Sequence, residues 1–259
     1  MRGRTKLVSL VTVITILLTS SMVFASGVID ASKVSLFGMP VDEPNAGTAN
    51  IFVTPMNTVD STKQSGSTIT VHIDISGTGF DLFSWQINLT YNKNILNVNR
   101  LTAGSFLGAT KDTSSEVLGH VINVTDNIGG SALFAETILY DVPGVSGSGR
   151  LVSIEFLVVG YGSTDIIISL SGSFKTTLLD SLGAEITPSV TNGYFRNKYP
   201  GDWNGDKSVS SLDFSKLAGI YGKSYPDPLY DRECDFILDG TIGSADFSAL
   251  AGNYGKTFP

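Results

Sequence analysis

Eleven residues of this chain occur twice, 33 positions apart. Asp213-Phe214-Ser215-Lys216-Leu217-Ala218-Gly219-Ile220-Tyr221-Gly222-Lys223 returns as Asp246-Phe247-Ser248-Ala249-Leu250-Ala251-Gly252-Asn253-Tyr254-Gly255-Lys256 with two mismatches. A carboxylate-rich loop precedes each copy. In the first, Asp202, Asn204, Asp206, Ser210 and Asp213 set oxygen side chains at positions 1, 3, 5, 9 and 12, Ser208 offers a carbonyl at position 7, and position 8 is apolar. That is the spacing of a calcium loop, in which alternate residues turn their oxygens inward and position 12 closes from a helix. The second loop keeps carboxylates at Asp235, Asp239 and Asp246, offers the Thr241 carbonyl, and has Gly240 at the sharp turn of position 6. Ile237 stands where an oxygen ligand belongs, and Gly243 has no side chain at position 9. In the first loop Lys207 replaces the turn glycine, so a positive φ is expected there at a cost of about 1 kcal/mol. Ligand count ranks the first loop as the better Ca2+ site and the second as the weaker. A solvated acidic surface accounts poorly for a loop and helix duplicated at fixed offset.

Residues 200–259 therefore read as a small α-helical module of two loop–helix repeats. Phe214, Leu217 and Tyr221, like Phe247, Leu250 and Tyr254, fall at i, i+3 and i+7, which predicts packing between the two helices. Cys234 is the single cysteine, which excludes an internal disulfide and a cysteine-based zinc site. Beside the second loop it reads as a bystander, since calcium prefers oxygen.

Upstream the pattern changes. Residues 26–50, with Pro40 and Pro44, read as a tether. From Ile51 to Arg196, short alternating runs are divided by glycine-rich breaks such as Ser76-Gly77-Thr78-Gly79. Ile69, Val71, Ile73 and Ile75 alternate with polar residues; so do Trp85, Ile87, Leu89 and Tyr91, with Gln86 and Asn88 on the other face, and Ile122 and Val124 about Asn123. Such spacing predicts an all-β sandwich with Trp85 turned inward. Asn88 and Asn123 each begin an Asn-x-Thr acceptor on a polar strand face, open to a glycan or to chance.

Arg2, Arg4 and Lys6, the apolar run Leu7 to Leu18 and the small-x-small end Val23-Phe24-Ala25 read as an export signal over residues 1–25, with an uncleaved anchor as the alternative. The chain is expected to be secreted or held at the cell surface. Seventeen Lys+Arg against 24 Asp+Glu leave a net charge of −7, which excludes nucleic acid as a partner because phosphates need cationic neutralisation. Only His72 and His120 are available for triad chemistry, and Asp74, Asp81, Glu136, Glu155 and Asp165 mark no carboxylate pair of the kind glycoside hydrolysis needs.

Two resemblances follow. Ser67 to Ile75, Phe83-Ser84-Trp85-Gln86-Ile87-Asn88-Leu89-Thr90-Tyr91-Asn92, Leu96-Asn97-Val98 and the late stretch Gly149 to Phe156 followed by Gly160 resemble a cohesin domain over about Ile51 to Arg196. The duplicated loop–helix unit resembles a dockerin module. Together they imply a jelly-roll type sandwich and a non-catalytic, exported assembly protein within a polysaccharide-degrading complex. Its partners would be dockerin- and cohesin-bearing proteins, bound in a calcium-dependent way. The dockerin resemblance places the partner contact at Ser211, Leu212, Ser244 and Ala245; the small residues Ala218-Gly219 and Ala251-Gly252 allow close approach of a partner or, equally, packing within the module. A carbohydrate-binding module carrying a dockerin is the alternative; its sugar platform would need exposed aromatics in a row, and Tyr140, Tyr161 and Tyr194 are scattered. The linker from Arg196 to Gly201 spans about 20 Å at most, so folding back onto the sandwich is expected to be awkward. Any mutual recognition would then run head-to-tail between chains.

Overall fold

The computed structural model describes residues 47–110, 122–138 and 143–259. The export signal, most of the 26–50 tether, His120 and Tyr140 lie outside the described residues. No helix among those described is long and apolar enough to cross a membrane.

The alternation read from the sequence produces two sheets. One runs in the order β12 (Pro188–Thr191), β1 (Thr48–Thr54), β3 (Thr68–Thr78), β8 (Gly149–Val158), β5 (Leu96–Ala103). The other runs β11 (Glu185–Ile186), β10 (Thr177–Asp180), β4 (Leu82–Thr90), β9 (Ser163–Ile168), β13 (Gly193–Arg196), β2 (Asn57–Val59), with β7 (Ser131–Thr137) also paired to β4 and β6 (Ile122–Asp126) paired to β7. In β3, Ile69, Val71, Ile73 and Ile75 all turn into the core, where they meet Ile154, Phe156 and Val158 of β8. Successive side chains of a strand point to opposite faces, so a period-2 pattern of β-branched residues can bury only one of them. Trp85 is sealed in that core, its ring 5.5 Å from Phe134. The first strand begins at Thr48, three residues ahead of the sequence boundary.

Two expectations fail within the strands. Gln86, assigned to a polar outer face, is buried, and its Nε2 donates to the Lys175 carbonyl at 2.9 Å. The segment entering β10 covers that face and accepts from the amide nitrogen, which offsets part of the cost of burial, while Oε1 is buried without a partner among the described residues. Val124, expected to turn inward, is 55% exposed. It lies on the outer arm of the β6–β7 hairpin, where β7 alone joins the sheet through β4. Of the two glycan acceptors, Asn88 is half-buried, its backbone N–H bonded to Thr176 Oγ1 at 3.0 Å, and Asn123 stands opposite Phe134 in the hairpin register.

Past β13 come α1 (Ser211–Gly219) and α2 (Ser244–Asn253), each directly behind one acidic loop. Val209, Leu217, Cys234, Phe236, Ile242 and Leu250 form their shared core, separate from the sandwich core. Burial pushes the Cys234 thiol up to about 12, so it is an inert apolar filler.

Candidate metal centres and their seat on the sandwich

The two loops are built alike. Each has a positive φ at positions 4 and 6: Gly205 and Lys207 in the first (75° and 66°), Leu238 and Gly240 in the second (55° and 85°). Each loop thus has one glycine where a Cβ is costly and tolerates one residue with a side chain. Lys207 adopts the left-handed conformation its position predicted. In the first loop Asp202 is fully buried, its Oδ1 accepting from the Gly205 amide at 2.8 Å and its Oδ2 from the Lys207 amide at 2.9 Å. Asp213 accepts from the amides of Trp203 and Ser210 at 3.0 and 2.8 Å, and from Ser210 Oγ at 3.1 Å. It closes the loop and caps α1 in the same stroke, because Ser210 is the N-cap and Asp213 stands at N3. Asp206 and Asn204 are exposed and bonded to one another through Asn204 Nδ2 at 2.8 Å, while Ser208 and Ser210 are half-buried.

In the second loop Asp235 and Asp246 are fully buried. Asp246 accepts from the amides of Phe236, Ile237 and Gly243 at 2.6, 3.2 and 2.8 Å, and Asp235 accepts from those of Asp239 and Gly240 at 3.2 and 2.8 Å. Asp235, Asp239 and Asp246 each bring a carboxylate oxygen within 4.8 Å of the others. Among the described residues this is the one convergent triple of that kind, and it lies in the loop the ligand count placed second. Backbone closure converges these carboxylates even where Ile237 contributes no oxygen. Three like charges so close repel one another, and a divalent cation bound among oxygens is the chemistry that relieves it. Thr241 is half-buried, its backbone bridged to Ser224.

The copies close one another. Val209, at position 8 of the first loop, exchanges hydrogen bonds with the chain after α2: its N–H reaches the Lys256 carbonyl at 3.0 Å, and Gly255 N–H reaches its own carbonyl at 2.8 Å. Ile242 does the same with the chain after α1, through Lys223 and Gly222, both at 2.8 Å. Neither repeat has a complete backbone without the other.

The module is seated on the end of its own sandwich. The six-residue linker, too short in reach to make folding back easy, is instead a largely buried joint, because the contact lies where β13 exits and no reach is needed. Arg196, 2% exposed, donates from Nη1 to the Arg232 carbonyl at 3.1 Å and from Nη2 to the carbonyls of Asp235 and Phe236 at 3.0 and 2.9 Å. Lys198 pairs with Glu233 at 2.6 Å; Glu233 also accepts from Ser163 Oγ at 2.8 Å and Tyr194 Oη at 2.6 Å. Burial opposes the Glu233 charge, and Lys198 with those hydroxyls outweighs it, leaving the carboxyl below its ordinary range. Arg232 pairs with Asp165 of β9 and stacks 3.9 Å over the Tyr194 ring. Tyr199 stacks on Phe258, ring centroids 3.6 Å apart. Tyr161 and Tyr194, two aromatics considered for a sugar platform, are thereby part of the joint, and Trp85 is in the core.

The helices present their other face to solvent. Leu217 and Leu250 are buried as expected, but Phe214 and Phe247 are 40% and 41% exposed, and Tyr221 and Tyr254 are 52% and 53% exposed. The packing expected between the helices holds for the leucines and, as a contact at the surface, for Phe214 against Phe247, and is corrected for Tyr221 and Tyr254. Phe214 and Phe247 meet edge to face at 5.9 Å on the surface, and with Leu250, Ala251 and Tyr254 they line a groove of about 400 Å³. The helix spacing was right, but the direction was not: Phe236, Ile242 and Cys234 from the second loop region already fill the interior. Ser211, Leu212, Ser244 and Ala245 are all exposed at the helix starts. Among the acids weighed for catalysis, Asp74 pairs with Arg150 at 3.0 Å, Glu155 with Arg100 at 3.3 Å, and Asp165 with Arg232.

Comparison with known proteins gives one family. The Cohesin domain model matches residues 55–193. Among solved structures, a non-cellulosomal cohesin from the archaeon Archaeoglobus fulgidus is 21% identical, covering 57% of this chain and 90% of its own, with a TM-score of 0.42. A type II cohesin from the cellulosome of Acetivibrio cellulolyticus is 18% identical over 58% of this chain and 95% of its own, TM-score 0.45. The sixth cohesin of that organism's scaffoldin B, solved in complex with a mutant Cel5 dockerin, is 20% identical over 57% and 98%, TM-score 0.44. No curated protein matches the chain.

Proposed function

Because the chain belongs to the cohesin family, we propose that it is an exported, non-catalytic assembly protein whose sandwich receives the dockerin of another protein. Its C-terminal module would plug into a different, cohesin-bearing receptor, and the leader-like residues 1–25 support export. The observation that carries the two-ended reading is the pairing of a cohesin sandwich with two mutually closed acidic loops on one rigid joint. A setting among polysaccharide-degrading complexes rests on the family resemblance alone.

The donor sets fit calcium. All the side-chain donors are oxygens, Asp202, Asp213, Asp235 and Asp246 are buried, and the second-loop carboxylates converge. Asp202, Asn204, Asp206, Ser208, Ser210 and Asp213 would hold one ion, and Asp235, Asp239, Thr241 and Asp246 the other. Bound calcium supplies the positive charge that lets these carboxylates stay together. Chelation with EGTA is therefore expected to lower helical ellipticity and to lower the module's stability by about 4 kcal/mol relative to a thousandfold excess over Kd. A chain whose helix content and melting are indifferent to EGTA would remove calcium from the reading.

The exposed helix face is the surface offered to a receptor, since Phe214, Phe247 and Tyr254 present apolar area to solvent there. Replacing Phe214 and Phe247 together by Ser should weaken capture by a panel of purified cohesin domains at least tenfold, because paired aromatics on an interface concentrate binding energy. Melting should stay within about 2 °C, both rings being already near half exposed. Undiminished capture would move the contact elsewhere. Head-to-tail association between chains would have to use this same face.

A further inference from the structure

We infer that Tyr161, a sandwich residue, is a positioning residue for the first acidic loop, so that this loop is completed only when the module is seated. The inference rests on the calcium reading above. The second loop shows what completion involves. Asp235 Oδ2 accepts from the Gly240 amide at 2.8 Å and from the Tyr230 hydroxyl at 2.7 Å, while Oδ1 takes a single bond from the Asp239 amide at 3.2 Å. With about two lone pairs per carboxylate oxygen, Oδ2 is filled and Oδ1 keeps room for a cation. The tyrosine thus fixes which oxygen faces the metal.

The first loop repeats this arrangement with a borrowed part. Asp202 Oδ2 accepts from the Lys207 amide at 2.9 Å and from the Tyr161 hydroxyl at 2.7 Å, and Oδ1 takes only the Gly205 amide at 2.8 Å. Tyr230 stands five residues before Asp235; five residues before Asp202 stands Asn197. Asn197 is fully buried and committed to the sandwich, its Nδ2 donating to the carbonyls of Lys63 and Gly160 at 2.8 and 3.0 Å and its Oδ1 accepting from Gly162 N–H at 2.8 Å. The first copy therefore lacks the tyrosine of the second, and the sandwich supplies an equivalent hydroxyl from outside the repeat. Tyr161 is held in place in turn, its Oη accepting from the Tyr199 amide at 2.9 Å and Lys207 Nζ lying 5.4 Å from its ring centroid. Coupling of this kind is reciprocal: a cation in the first loop tightens the seat, and the seat tightens the cation.

The full-length chain carries its own reporter. Its two tryptophans are Trp85, sealed in the sandwich core, and Trp203, whose amide donates to Asp213 in the first loop. Calcium titration followed by Trp203 emission reads the first loop, and calorimetry reads both. Y161F should weaken the Trp203-reported affinity about tenfold, the lower range for removing a group that orients a metal ligand, and leave the other step unchanged. Y230F should do the converse. Ser163→Ala, which removes a bond to Glu233 across the joint without touching Asp202, should leave both steps alone. In the unaltered chain, saturating calcium should slow hydrogen exchange at the Tyr199 amide. The inference is overturned if Y161F leaves the first step where it was, if Ser163→Ala lowers it as far as Y161F does, or if Tyr199 exchange ignores calcium. Calcium uptake at full strength in Y161F removes this inference and spares the calcium reading; no uptake by the unaltered chain removes both.

Discussion

Arg196→Ala is expected to uncouple the two halves of the molecule. The guanidinium is buried at the end of β13 and satisfies three carbonyls of the module. Truncation leaves those carbonyls without a donor, and an unsatisfied buried polar group costs about 1–3 kcal/mol. Partial relaxation brings the sum to about 3 kcal/mol, charged against docking rather than against either core. In urea, the unaltered protein should lose Trp85 and Trp203 signals in one coincident transition, the mark of a single cooperative unit. In Arg196→Ala the Trp203 transition should move to lower urea and separate from that of Trp85. Arg196→Lys should behave similarly, since a single ammonium cannot reproduce the planar fork. Coincident transitions at an unchanged midpoint would show that the joint contributes nothing to cooperativity.

Asp246→Ala should be more local and as severe. Asp246 is fully buried and gathers the amides of Phe236, Ile237 and Gly243 onto one carboxylate. It links the start of the second loop to the start of α2, so its loss frees three donors, opens the loop and removes a proposed cation ligand together. We expect at least 3 kcal/mol of module stability to be lost without metal, and calcium no longer to restore it. Because each repeat closes the other's loop, the first loop should suffer too. Calorimetry should therefore show loss or strong weakening of both calcium steps, with the Trp85 transition preserved. A clean loss of one step alone would mean that the crosswise bonds of Val209 and Ile242 are dispensable.

Much of this architecture was legible from residue order, and the reasons differ by element. Alternation along Ile69 to Ile75 identifies a strand because a sheet has only two faces, and the twofold loop is visible because its oxygen-bearing residues recur at fixed spacing. The positive φ at Lys207 follows from its place in that loop. Other features had no local signature. Phe214 and Phe247 have the periodicity of core residues, but whether a helical stripe turns inward depends on what else fills the interior, and Phe236 and Ile242 come from a different part of the repeat. Gln86 has a polar residue's place in the alternation, and only a distant carbonyl at Lys175 makes its burial tolerable. The joint was the largest omission. Arg196, Tyr161 and Glu233 are ordinary singly, and linker length measures reach, which says nothing about a contact that begins where the linker does. One signal was available: aligning the repeats upstream sets Asn197 against Tyr230 and exposes a gap that something outside the module had to fill.

The joint of Arg196, Asn197 and Lys198 bears on how loads are arranged in space. Modules strung on slack linkers sample a cloud of separations, and the effective concentration between their cargoes is an average over it. With all three residues buried, Arg196 and Lys198 bonded to the module and Asn197 to the sandwich, this chain is a bracket. Under the proposed two-ended reading, a cargo on the sandwich and an anchor on the helix face would keep one distance and one bearing, so geometry alone would set which neighbouring cargoes reach the same target.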